Sequence, residues 1–157
     1  MGIKFIKLTQ GKSTIVSSSD YEHLNSFKWY YNKGYVSRNY INEDGNKRVL
    51  YMHRYVMDCP RGKQVDHING NKLDNCRENL RITTSTGNNR NRAKSAGTTS
   101  KYKGVNWSKQ NQRWLCRLKV KRKTVYLGYY DTEEEAAKVY NEAAIKYFGE
   151  FARLNIL

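Results

Sequence analysis

Acidic residues are scarce in this chain: 14 stand against 29 lysines and arginines, a formal charge of +15 over 157 residues. The shortage is sharpest between Glu78 and Asp131, where Arg81, Arg90, Arg92, Lys94, Lys101, Lys103, Lys109, Arg113, Arg117, Lys119, Lys121, Arg122 and Lys123 occur and no acid does. A gap of that length reads as a continuous phosphate-tracking surface. The overall excess points to a polyanionic partner, nucleic acid first and a membrane surface second. Long apolar runs are also missing. Nothing approaches the roughly 18 apolar residues of a membrane span, and no secretory signal is read at the start, so the membrane option falls away. Cysteines are few and odd in number: Cys59, Cys76 and Cys116 lie far apart, and no two have metal-knuckle spacing. They read as reduced thiols of an intracellular protein, with Cys116 in a core. A zinc site from Cys59, Cys76 and His67 has no spacing to support it.

What is present centres on one polar stretch. Residues 65–68 read as a short strand, and Asn69-Gly70 as a turn whose residues tolerate positive φ. A polar loop follows, then a second strand over 80–83. Thr84 or Ser85 can cap a helix that carries Asn88 on its first turns. Asp66 on the strand and Asn88 on the helix can then converge, with His67 beside them. Both offer oxygen, the ligand atom of a hard cation such as Mg²⁺, with water and a substrate phosphate completing the shell. His67 is the side chain best able to take a proton near neutral pH. A hard metal beside a general base is what phosphodiester hydrolysis requires.

This run closely resembles the HNH endonuclease family of phages and mobile introns. The residues that carry the resemblance are His53-Arg54, Val65-Asp66-His67-Ile68-Asn69-Gly70, Asp74-Asn75, Glu78-Asn79-Leu80-Arg81 and Asn88. It implies a small ββα-metal module with His67 as general base, Asp66 and Asn88 as metal ligands, and Asn79 orienting the imidazole of His67. Asn88 stands where the family name has its second histidine, which favours Mg²⁺ or Mn²⁺ over zinc. His53 and Arg54 are candidate phosphate contacts. For His53, packing against the strand is the equal alternative, and Arg54 reads as a phosphate or carboxylate partner.

Upstream, residues 3–8 and 14–16 look like two strands joined at Gln10-Gly11. Asp20 is expected to cap a short helix with Tyr21, Leu24 and Phe27 at helical spacing. A hairpin over 35–38 and 48–52 turns at Glu43-Asp44-Gly45-Asn46, and its aromatic neighbours read as core rather than a base-stacking platform. The helix beginning near His53 ends before Pro60. Residues 89–99 are small, polar and basic without periodicity, which marks a linker lying along a DNA groove, with Arg90 and Arg92 on phosphates.

The last third forms a second unit. Strands are expected over 102–107, 113–120 and 124–128. Trp114, Cys116, Leu118 and Val120 alternate with Arg113, Leu115, Arg117 and Lys119, giving one apolar and one largely cationic face. A helix over 132–148 covers the apolar face, opening with the capping box Thr132/Glu135 and carrying the stripe Ala136, Ala137, Tyr140, Ala143, Ala144 and Tyr147. This segment resembles the plant ethylene-response-factor (Apetala-type) DNA-binding domain through Tyr102, Gly104-Val105, Trp114, Leu127-Gly128, Asp131-Thr132, the Glu134–Ala137 run, Tyr140, Ala143-Ala144, Phe148-Gly149 and Leu154-Asn155. By that likeness Lys103, Asn106, Ser108, Arg113, Arg117, Lys119, Thr124 and Tyr126 face DNA. Asn106, Ser108, Gln110 and Tyr126 differ from the plant residues, so the target sequence does not carry over.

These readings define an α+β protein: residues 1–92 with a catalytic core over 50–92, a basic linker over 93–100, and a three-stranded antiparallel sheet packed on one helix over 101–157. The function expected is a metal-dependent, site-directed DNA endonuclease of homing type acting on double-stranded DNA. No membrane and no obvious protein partner are implied. The setting that the resemblance implies is a phage-infected host cytoplasm or an organelle. The rival is a non-catalytic DNA-binding regulator that keeps a nuclease-like fold; an RNA-binding module lacks a base-stacking signature.

Overall fold

The computed structural model describes residues 2–94 and 97–157. The chain divides after Asn88 into two compact units, each with its own hydrophobic core. Ser95 and Ala96, inside the expected 93–100 linker, lie outside the described residues, as does Met1. No described helix is long and apolar enough to cross a membrane.

In the N-terminal unit, β1 (Ile3–Lys7) and β2 (Ser13–Ser17) form an antiparallel pair, turning through the expected Gln10-Gly11. Helix α1 (Ser18–Asn25) follows at once, so its N-cap is Ser17 and not Asp20. Asp20 instead lies in the first turn and accepts from Arg77 Nε and Nη2 at 2.8 Å each. Ser17 Oγ also turns to that segment, accepting from Arg77 N at 2.9 Å and donating to Glu78 at 3.2 Å. Strands β3 (Tyr30–Asn32), β4 (Tyr35–Ile41) and β5 (Lys47–Tyr51) make a meander, with Gly45 at φ +76° in its second turn. The aromatics here are core, as read: Trp29 is 1% exposed, and its indole N–H donates to Leu24 O at 2.8 Å. Phe27 and Tyr55 pack around it while the Arg38 guanidinium lies 3.9 Å over the Phe27 ring.

The chain then enters α2 (Met52–Val56), β6 (Gln64–His67), a 3₁₀ turn over Arg77–Asn79, β7 (Leu80–Thr83) and α3 (Ser85–Asn91). β6 and β7 pair antiparallel with Asp66 opposite Arg81 and His67 opposite Leu80. Thr84 Oγ1 accepts from Gly87 N at 3.3 Å, the expected cap. Gly70 takes the positive φ of the β6–β7 loop at +78°. Asn69 contributes its side chain, which accepts from Asn71 N and donates to Asp74.

The C-terminal unit is the expected sheet on a helix. β8 (Val105–Ser108), β9 (Arg113–Val120) and β10 (Lys123–Tyr130) are antiparallel with β9 central and a bulge at Leu127. Helix α4 (Glu133–Phe148) has the Thr132/Glu135 capping box in full. Ala136, Ala137, Tyr140 and Ala144 are buried against Val105, Cys116 and Leu118, while Tyr147, read into the same stripe, is 42% exposed. The residues read as a linker are not a free tether. Asn89, Arg90 and Asn91 close α3, Lys94 Nζ donates to the carbonyls of Tyr102 (2.7 Å) and Val105 (2.6 Å), and Thr99 Oγ1 accepts from Trp107 N (2.9 Å).

Gly104 marks how closely α4 sits. Its φ is +79°, and a Cβ there would run into the Tyr140 ring and come within 2.8 Å of Arg117 O. Gly104→Ala is expected to destabilise the C-terminal unit by roughly 3 kcal/mol through strain and overpacking together. Chemical denaturation followed by tryptophan fluorescence checks this.

Candidate active site and nucleic-acid face

Asp66 and His67 sit at the end of β6, and both are almost fully buried, at 5% exposure each. A carboxylate so placed needs a counter-charge. Arg81, directly across the ladder, supplies it with Nε and Nη2 on Oδ2 at 3.0 and 2.7 Å. On the next residue, His67 Nε2 lies 3.4 Å from Asn75 Oδ1. Asn75 is 1% exposed, and its Nδ2 donates to Thr14 Oγ1 at 2.8 Å. Asn79 is committed elsewhere: Oδ1 accepts from Asn69 N (3.0 Å) and Nδ2 donates to Asp74 O (2.8 Å). Asn75 thus places a side-chain oxygen on the His67 ring, whereas Asn79 joins Asn69 and Asp74 across the β6–β7 loop.

His53, on α2, packs edge-on against His67 with ring centroids 5.1 Å apart, and Tyr35 and Tyr51 flank it at 5.2 and 5.7 Å. Its Nδ1 is buried without a hydrogen-bond partner. A cleft of about 250 Å³ opens here, lined by Tyr35, Tyr51, His53, Arg54, Gln64, Val65 and Asn88. Burial pushes His53 down to about 3, helped by the charges of His67, Arg54 and Lys72. Burial likewise lowers His67, against the raising effect of Asn75, Asp66 and Asp74. Both shifts favour the neutral ring. Arg54 lines the cleft but is held by backbone, donating to the carbonyls of Lys63 (2.8 Å), Cys59 (3.2 Å) and Pro60 (3.3 Å). The expected phosphate or carboxylate partnership gives way to a clamp on the loop after α2. Lys72 stands over the Tyr35 ring at 4.1 Å.

The donors fit a hard cation. Asp66 offers carboxylate oxygen, and Asn88, whose Nδ2 donates to Gln64 Oε1 at 2.9 Å, has Oδ1 as its side-chain oxygen. Among the described residues no three His, Cys, Asp or Glu side chains form a metal cluster. Two protein oxygens would need waters and phosphate oxygens to complete the shell. Burial is the largest cause that pushes the Cys76 thiol, on the β6–β7 loop, up to about 12 and the Cys116 thiol, in the C-terminal core, up to about 11.

In the C-terminal unit, β9 turns Arg113, Arg117 and Lys119 outward while Cys116 and Leu118 are buried. Cross-strand partners share a face. The register therefore adds Ser108 (opposite Arg113), Asn106 (opposite Leu115), Tyr126 (opposite Arg117) and Thr124 (opposite Lys119) to that face. Arg113 pairs with Asp131 at 2.8 Å on the exposed surface. Lys103 does not join them: its ammonium donates to the carbonyls of Arg90 and Arg92 (2.7 Å to the latter), and burial with Arg153 nearby lowers it to about 8. Arg90 lies 5.0 Å over the Phe148 ring, while Arg92 is exposed.

Comparison with known proteins agrees with this division. The HNH endonuclease family matches residues 50–90 and the AP2 domain residues 100–150. An uncharacterized HNH endonuclease of Acanthamoeba polyphaga mimivirus is 34% identical over 98% of this chain and 81% of its own length. The chain belongs to the HNH endonuclease family, and its C-terminal unit is an AP2 domain. Protein 3.8 of Escherichia phage T7 is 32% identical over 60% of this chain and 77% of its own length. The ethylene-responsive transcription factor WRI1 of Arabidopsis thaliana is 47% identical over 36% of this chain but only 14% of its own length.

The depressed His53 value carries a stability consequence. Below 6.5 the unfolded chain takes up a proton on this ring, whereas the folded chain does not until about 3. Its contribution is therefore complete above 6.5 and is lost steadily as pH falls toward 3. Thermal melts are expected to show wild type losing more melting temperature between pH 7 and pH 5 than His53→Phe, which has no such proton to take up.

Proposed function

We propose that this protein is a metal-dependent, site-directed endonuclease for double-stranded DNA, cutting with the N-terminal unit and reading sequence with the AP2 domain. The observation that carries it is His67, buried beside Asp66 with Nε2 on Asn75 and its ring packed against the cleft residue His53, in a chain whose second unit bears a cationic sheet face.

In this reading His67 takes a proton from water as the water oxygen attacks phosphorus. A P–O bond forms, the bond to the 3′ oxygen breaks, and that oxygen leaves as an alkoxide that takes its proton from solvent water, giving 5′ phosphate and 3′ hydroxyl ends. Asp66 and Asn88 would hold Mg²⁺ or Mn²⁺, which when bound supplies positive charge for the phosphoryl transition state and the leaving oxygen. Asn79 keeps the β6–β7 loop closed so that Asp66 and His67 stay at the strand end. His53, neutral and lining the cleft, is a hydrogen-bonding contact for a phosphate near the cut. The viral relatives support action inside infected cells.

One observation favours the rival, a DNA-binding regulator without catalysis: Arg81 occupies Asp66 Oδ2, and a cation on that carboxylate must share it. Plasmid incubation with and without Mg²⁺ separates the two. For the nuclease, His67→Ala is expected to slow cutting by ~10²–10⁴-fold, the usual worth of a positioned base, with DNA affinity nearly unchanged. The wild-type rate should rise with pH through a value below the ordinary 6.5, because burial lowers His67 and only the neutral ring accepts a proton. A His67→Ala protein that cuts at the wild-type rate would end this mechanism.

Sequence reading falls to the open sheet face. Arginine can bond a guanine edge with two donors, and losing such a contact costs about 1–3 kcal/mol of discrimination. Arg117→Ala should therefore weaken binding to the true site much more than to random duplex. Lys103→Ala, which removes an ammonium bonded to backbone carbonyls, should lower stability and leave preference alone. Titrations on both duplexes at several salt concentrations check this. Equal losses for Arg117→Ala on both would remove the sheet as the reader.

A further inference from the structure

We propose that Asn75 and Thr14 are positioning residues for His67, a buried relay from β2 that decides which imidazole nitrogen carries the proton. The proposal rests on the nuclease reading and names residues that it does not require. The directions of the hydrogen bonds follow from valence. Thr14 has one hydroxyl hydrogen, which it donates to Leu73 O at 2.8 Å. Toward Asn75, 2.8 Å away, Thr14 Oγ1 can then only accept, so the Asn75 atom facing it is Nδ2. The other end of that carboxamide is Oδ1, an acceptor without a hydrogen, and it faces His67 Nε2. A neutral imidazole beside a pure acceptor bears its hydrogen on that nitrogen, which leaves the lone pair on Nδ1. Rotating the Asn75 amide would set two acceptors against each other at Thr14, and so the relay has one self-consistent orientation.

Burial makes the choice binding. Thr14 and Asn75 are 0% and 1% exposed, so water cannot substitute for either partner. The backbone fixes the same geometry, because Ile15 N donates to Leu73 O and Asn75 N to Ile15 O, both at 2.8 Å. Nothing in the relay touches the cleft: its effect on the reaction passes through the imidazole alone.

The test uses ¹⁵N NMR of the His67 ring in the metal-free full-length protein, together with single-turnover cleavage and DNA affinity. In wild type the neutral ring is expected to carry its proton on Nε2. Thr14→Val, which keeps the shape and removes the hydroxyl, should shift the ring toward the other tautomer and slow cleavage by ~10-fold, within the worth of a well-placed base. Thr14→Ser should restore both, and affinity should stay constant. Asn75→Leu should act in the same direction more strongly; if it fails to fold, the threonine pair still decides. A wild-type ring protonated on Nδ1, or Thr14→Val indistinguishable from wild type in tautomer and rate, would overturn the proposal. If the tautomer responds as expected but wild type cuts nothing with any divalent cation, the relay stands and the nuclease reading falls.

Discussion

The N-terminal unit depends on the grip of β2 on the loop that follows His67. Ile15 donates to Leu73 and accepts from Asn75, a parallel bridge between a strand near the start of the chain and residues some sixty positions later. Each such bond contributes only about 0.5–1.5 kcal/mol net, but a buried one that is broken leaves a donor and an acceptor unsatisfied, which costs more than the bond gave. The grip also sets the direction of every group on the loop. Asn75 faces His67 because its backbone is held to Ile15. Asp74 is placed to accept from Asn69 because Asn79 clasps the loop from the far side. β2, which lies in the residues 1–49 that the HNH family match does not cover, is therefore part of the site's frame.

Much of this architecture was legible locally. The Thr132/Glu135 box, the alternation along β9 and the Thr84 cap before Asn88 each follow from contacts within a few residues, and each is found where the pattern puts it. The expected cap at Asp20 failed for a local reason too. The strand before α1 runs straight into the helix, and Asp20 found a stronger partner in Arg77, 57 residues away. Asn75 stands in the recognised motif, but nothing near it in sequence says that it will meet Thr14. Tertiary hydrogen bonds between distant segments leave no periodicity to read.

Charge was legible as an amount and not as an assignment. The acid-free stretch from Arg81 to Tyr130 looks uniformly suited to phosphate, yet its cations divide into two physical classes. Arg117 and Lys119 stand free on the open face of β9, directed there by strand alternation. Lys94 and Lys103 turn inward and donate to backbone carbonyls at the end of α3 and at the approach to β8. Arg54 does the same for the loop after α2, and Arg81 for Asp66. A basic residue beside an unsatisfied carbonyl or a buried carboxylate is captured by it, and composition alone cannot tell captured cations from free ones.

The Asp66–Arg81 pair carries this reasoning into the site. A carboxylate 5% exposed cannot be left alone in a protein interior, since desolvation without a partner costs several kcal/mol. In small metal-built domains the cation supplies the missing charge, and the fold collapses without it. Here Arg81 supplies it from the facing strand, through a register that also sets His67 opposite Leu80. Asp66 is thus balanced from within the same two-stranded ladder that carries His67. The arrangement has a cost on the other side: any cation that approaches Asp66 meets a guanidinium already there. A phosphate offers that guanidinium a second anionic partner. On the proposed reading, substrate and cation together would redistribute the charges that Arg81 and Asp66 balance alone.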